Sequence, residues 1–102
     1  MRASAWRGGS TNVPTYGIRV GRPNRDEFFS SDWDTIEVEI DGKFHLFALT
    51  GGFWRKCPEF RDRGDPILRE WLHRNHTLDW QKGSPPKVEL VPLGGNRFRL
   101  MA

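Results

Sequence analysis

Ile36-Glu37-Val38-Glu39-Ile40-Asp41-Gly42-Lys43-Phe44-His45-Leu46-Phe47-Ala48-Leu49 alternates apolar and acidic residues up to an Asp-Gly pair, then turns apolar on both sides. Alternation with period two is the mark of a half-buried strand. Asp-Gly supplies the two positive-φ residues of a two-residue type I′ hairpin turn. The spacing therefore predicts Ile36 opposite Phe47 and Val38 opposite His45, with Leu49 extending the same face. Phe44, Leu46 and Ala48 make the second strand apolar on its other face too. Such a strand is expected in the middle of a sheet, covered by a helix or closed within a barrel. Beyond it, Gly51-Gly52-Phe53-Trp54-Arg55-Lys56 reads as a glycine hinge that carries two aromatics and two cations to the sheet's rim.

Upstream, Tyr16, Ile18 and Val20 alternate with Gly17 and Arg19 as a further strand, and Asn24 and Glu27 have capping-box spacing for one short helical turn ending near Phe29. Residues 1–15 read as a flexible arm, since Arg7-Gly8-Gly9-Ser10-Thr11-Asn12 has linker composition and no apolar period; Trp6 is the one residue able to dock it. Downstream, Asp65-Pro66 predicts an N-cap and first helical position. The main helix then runs from Pro66 to Arg74, with Ile67, Leu68, Trp71 and Leu72 inward and Glu70 spaced to pair with Arg74. Val88 to Val91 and Arg97 to Leu100 read as closing strands. The expected fold is α+β: a small, mainly antiparallel sheet or open barrel of about five to six strands with one main helix, residues 16–102 forming a single globular domain.

Composition excludes several classes. The chain has 102 residues, is 36% hydrophobic and 13% aromatic, and holds no apolar run long enough to suggest a membrane span. A single cysteine, Cys57, cannot form an internal disulfide, and the N-terminus lacks a hydrophobic signal core, so a cytoplasmic location without membrane attachment is expected. His73, His76, His45 and Cys57 do not make a zinc-ligand spacing, and no catalytic signature surrounds Cys57. Asp32/Asp34 and Asp62/Asp65 are carboxylate pairs without a companion motif, and the glycine pairs lack phosphate-loop spacing. The expectation is a non-enzymatic protein with no catalytic residues, metal or cofactor.

Charge is distributed in blocks. Residues 1–25 hold five cations and no acid, residues 26–41 seven acids and no base, and the remainder eleven cations against six acids. Such blocks imply either a polarised surface or mutual neutralisation within the fold. Twelve of the sixteen cations are Arg, whose planar fork suits phosphate and carboxylate. Cations on phosphate and aromatic rings on bases are the ingredients of a nucleic-acid-binding face. The expected contacts to DNA or RNA backbone are Arg22, Arg25, Arg55, Lys56 and Arg61, with Trp54 or Phe53 stacking; Arg19, Arg97 and Arg99 would extend one positive face opposite the acidic Glu37/Glu39 face. The alternative is a protein–protein adaptor or homodimer, anchored by Trp6, Trp33 or Trp80 or by the acidic hairpin of one copy meeting the basic arm of another.

Leu49-Thr50-Gly51-Gly52-Phe53-Trp54-Arg55 resembles the strand–Leu-Thr-x-Gly-Trp turn of plant B3-type DNA-binding domains, with Phe53 where that family has Trp. The resemblance implies a seven-stranded open pseudobarrel with short helices and a DNA-binding role. It covers seven of the 102 residues, and no DNA-contact residue is carried over from it.

Overall fold

The Asp41-Gly42 turn forms as its residue types dictate: Asp41 has φ 53° and Gly42 φ 82°. It joins β3 (Thr35–Ile40) to β4 (Lys43–Ala48) in the register the spacing predicts, Ile36 against Phe47 and Val38 against His45. The computed structural model, which describes residues 1–10 and 12–102, builds outward from this hairpin to seven strands and three short helices. The other elements are β1 (Arg2–Gly9), β2 (Pro14–Arg19), α1 (Arg22–Phe28), α2 (Gly51–Arg55), β5 (Glu59–Arg61), α3 (Ile67–Asn75), β6 (Lys87–Gly94) and β7 (Arg97–Met101).

The strands form one mixed sheet in the order β4-β3-β7-β6-β1-β2-β5. Every pairing is antiparallel except β3 with β7, which is parallel. The sheet coils until its two ends approach, bringing Phe47 of β4 and Phe60 of β5 to a ring separation of 5.1 Å. The result is an α+β fold around a nearly closed barrel whose mixed sheet has seven strands, against the five to six expected, and three short helices against the one main helix expected. Phe98 lies at its centre, stacked on Phe29 at 4.8 Å and edge-on to Trp33 at 6.3 Å, and Phe53 packs on Phe29 from α2 at 5.1 Å.

Four expectations are corrected. The first nine residues of the expected arm at 1–15 are not loose: Arg2–Gly9 is a strand between β6 and β2. Its inward residues are Ala3 and Ala5, small enough for the crowded barrel interior and too weakly apolar to announce a strand. Thr11, within the same stretch, lies outside the described residues. Second, β4 is not central but ends the sheet, so its second apolar face meets solvent, with Phe44 39% and Leu46 67% exposed. Third, the glycine hinge is the helix α2, which turns Phe53 into the core. Fourth, the expected box of Asn24 and Glu27 does not form. Asn24 instead donates to the carbonyls of Val20 and Arg2, pinning α1 to the strands beneath it.

The main helix lies within one residue of the Pro66 to Arg74 span, but its cap is not Asp65. Asp62 reaches across, and its two carboxylate oxygens accept the N–H groups of Leu68 at 2.8 Å and Arg69 at 3.0 Å. Asp62→Ala is therefore expected to destabilise the protein by about 1–2 kcal/mol, the usual cost of a lost cap. Asp65→Ala should cost under about 0.5 kcal/mol, as an exposed site without such a role. Urea denaturation of both variants checks this, and a reversed order would return the cap to Asp65. Arg74 pairs not with Glu70 but with Asp41 at 2.7 Å, linking α3 to the hairpin turn.

One close approach depends on glycine. A Cβ on Gly17 of β2 would stand 2.4 Å from the Phe60 carbonyl oxygen of β5. A side chain is thus excluded at Gly17, where it pairs with Arg61 of β5. No helix is long and apolar enough to cross a membrane, among the described residues.

Candidate nucleic-acid interface

The acidic strand is neutralised inside the fold. Parallel pairing of β3 with β7 sets Glu37 opposite Arg97 and Glu39 opposite Arg99. Arg97 Nε lies 3.0 Å from the Glu37 carboxylate, and Arg99 pairs with Glu39 in the same way. The expected positive face containing Arg97 and Arg99 therefore does not exist; those cations and the acids share one surface as alternating pairs. Arg19 is likewise placed 4.0 Å from Glu59.

A different cluster of cations is left over. After α2, the Cys57-Pro58 step turns the chain into β5, whose alternation points Phe60 inward and Glu59 and Arg61 outward. Lys56, Arg61 and Arg63 line a cleft of about 210 Å³ beside the end of β4. Arg55, at the end of α2, is exposed; its guanidinium lies back over Gly51, where a Cβ would come within 2.6 Å of it. None of these four cations forms an ion pair among the described residues. The Arg61 guanidinium sits 5.6 Å over the Trp6 ring, across the side-chain-free Gly17. Trp6 went unread as part of this region because only the pairing of β1, β2 and β5 brings it there.

Of the expected contact residues, Lys56 and Arg61 line the same cleft, Arg55 is exposed just before Lys56 at the end of α2, and Arg22 is exposed at the start of α1. Arg25 is different. Its side chain is only 14% exposed and donates to the Trp54 carbonyl at 2.9 Å while contacting Asp26 at 3.0 Å. It ties α1 to α2 and is not available to a ligand. Phe53 and Phe60 are each 1% exposed and cannot stack on a base, which corrects the expectation for Phe53. Trp54 is half-buried, edge-on to Phe53 at 5.0 Å.

No protein-family model, curated protein or solved structure matches the chain. Geometry and charge alone carry the reading of this corner.

Glu59 is the acid at the cleft. Burial raises its pKa above the ordinary glutamate value, against the lowering influence of Arg19 and Arg61. One carboxylate oxygen is buried without a hydrogen-bond partner. Burial raises Asp62 too, outweighing the helix N–H groups it accepts. A carboxyl whose folded pKa lies above its unfolded value binds its proton more tightly when folded. Stability from that group is then greatest at low pH and declines as pH rises through the interval between the two values. Glu59→Gln is expected to be more stable than the native protein at pH 7, with the difference shrinking as pH falls into the carboxylate range. Urea midpoints from pH 4 to 7 measure it; a native protein more stable than the variant at pH 7 would show that the Arg19 contact outweighs burial.

The tryptophans offered as partner anchors are all half-buried. Trp33 packs edge-on to Phe29 and Phe98, and Trp80 lies against Tyr16 with Arg7 4.6 Å above its ring.

Proposed function

We propose that the protein is a small binding module for nucleic-acid backbone, with Arg55, Lys56, Arg61 and Arg63 contacting phosphates and Arg22, exposed at the start of α1, as a further contact. The observation that supports this best is the cleft lined by Lys56, Arg61 and Arg63, none in an ion pair among the described residues, with Arg55 exposed just before it, in a fold that pairs Arg97 and Arg99 with its acidic strand. Cations whose charge the fold leaves uncompensated attract a polyanion and release its counterions. The B3-like stretch Leu49–Arg55 enters the same proposal as the segment that delivers Arg55 to the corner. Base stacking has little part in it, because Phe53 and Phe60 are buried and Trp54 is half covered. Binding should therefore be phosphate-driven and indifferent to base sequence. An exposed, unpaired Cys57 suits a reducing compartment, and the cytoplasm is proposed on that ground.

The test is fluorescence anisotropy with labelled random duplex DNA, single-stranded DNA and single-stranded RNA at 50 and 200 mM salt. Four phosphate contacts give a slope of about −3.6 in log affinity against log salt, roughly a 100-fold loss over that interval for duplex DNA. Absence of binding to all three at 50 mM would retire the proposal.

A further inference from the structure

Stacking has little part at the corner itself, but one ring on the face beside it stands apart from the other indoles. Of the five tryptophans, Trp71 is buried and Trp33, Trp54 and Trp80 pack against the core. Trp6 does not. In β1 it alternates with Ala3 and Ala5, whose side chains face inward, so its ring lies on the outer face of the barrel. An indole there gains nothing from the core and is held only by its neighbours. Gly8, two residues on and on the same face, supplies bare backbone: a Cβ there would stand 2.5 Å from the Cζ2 and Cη2 atoms of the ring. Gly17 lies directly opposite Trp6 on β2 and adds no side chain either. The remaining neighbour is Arg61 of β5, opposite Gly17, with its guanidinium 5.6 Å from the ring centroid.

Arg61 is a replaceable occupant. It is exposed and forms no ion pair among the described residues, and a cation over a ring in solvent is weakly held. The face around Trp6 is also basic. Lys87 donates to the Ser4 hydroxyl at 3.2 Å, Arg19 lies opposite Ser4 on β2, and Arg2 leads the strand. Two acids oppose them: Glu89, opposite Arg2, and Glu59, which faces Arg19.

We infer that Trp6 is a stacking platform for an unpaired base, so that the ligand of the α2–β5 corner is single-stranded nucleic acid. This rests on the nucleic-acid reading of that corner and narrows it. Bases in a duplex are stacked on one another and closed to an outside ring, whereas a base in a single strand presents its face. Arg61 links the two parts of the site: its guanidinium leaves the ring for a phosphate, and a base takes its place. From β5 to β1 is two strand spacings, about 10 Å, so one short stretch of strand reaches both. Every base has a π-face, and binding therefore stays indifferent to sequence.

The test compares three fluorescein-labelled decamers by anisotropy at 50 mM salt: (dT)10, (rU)10 and an abasic strand that keeps the phosphates and lacks the bases. The native chain should bind (dT)10, (rU)10 or both at least about 5-fold more tightly than the abasic strand, the low end for one stacked base. Trp6→Ala should remove that advantage while leaving its affinity for the abasic strand and for random duplex DNA unchanged, and Trp6→Phe should keep most of it. Unlabelled (dT)10 should quench tryptophan emission in the native chain and not in Trp6→Phe, a readout that stands even if Trp6→Ala fails to fold. Equal affinity for strands with and without bases, or equal weakening of both by Trp6→Ala, overturns the platform; the corner reading survives if duplex DNA still binds. No binding of any strand or duplex retires the corner reading and the platform with it.

Discussion

Arg55→Glu/Lys56→Glu is expected to lower affinity for duplex DNA by about 100-fold or more at 50 mM salt and to flatten the salt slope by about 2. Both side chains are exposed and neither has an ion-pair partner among the described residues, so the melting temperature should stay nearly unchanged. Arg25→Ala provides the contrast. Arg25 holds the Trp54 carbonyl and joins α1 to α2, so its loss should lower stability by about 1–2 kcal/mol while altering the salt slope little. Anisotropy and thermal denaturation of both variants separate a ligand contact from a structural tie. Unchanged affinity in the double reversal would remove the α2–β5 corner as the site. A flattened slope in Arg25→Ala alone would move it toward α1.

Phe98→Ala is expected to cost about 3–5 kcal/mol, the range for truncating a buried aromatic. Small domains have only about 5–15 kcal/mol in total, so the variant should melt well over 10 °C lower or fail to fold at 37 °C. Phe98 is fully buried, stacks on Phe29 and meets Trp33 edge-on. It also lies opposite Val38 in the one parallel pairing of the sheet. Truncation empties the point where the hairpin, the C-terminal strand and the α1 end meet. Leu46→Ala, the truncation of an apolar residue at the open edge, should change stability by no more than about 0.5 kcal/mol. Urea titration of the two variants makes the comparison. A cost below about 1 kcal/mol for Phe98→Ala would mean that the barrel is not packed around it.

The β3–β4 hairpin, its register and the α3 span were legible because each depends on neighbours in sequence. Asp41-Gly42 needs no distant partner to adopt positive φ, and the Leu68, Trp71, Leu72 stripe is a local period. Strand β1 was not legible. Ala3 and Ala5 carry little apolar signal, and Gly8-Gly9 has the composition of a linker; their place between β6 and β2 comes from partners more than eighty and about ten residues away. The cap on α3 escaped for a related reason. Asp65 stands where a local rule puts the capping residue, but the loop geometry carries the carboxylate of Asp62 to the helix N–H groups instead.

The candidate site divides in the same manner. Counting charges identified Arg55, Lys56 and Arg61, and no count can tell which cations the fold will neutralise. That depends on β3 and β7, sixty residues apart, lying parallel with Glu37 beside Arg97 and Glu39 beside Arg99. By itself the sequence determined the α+β class, the hairpin with its turn and the helix from about Pro66, since short-range sterics and periodic burial act within a few residues. Tertiary structure alone decided that Arg2–Gly9 is a strand, that β4 is an open edge, that Phe53 and Phe60 are core, and that Lys56, Arg61 and Arg63 line one cleft. Exposure and ion pairing are properties of surfaces brought together across the chain, and no local pattern encodes them.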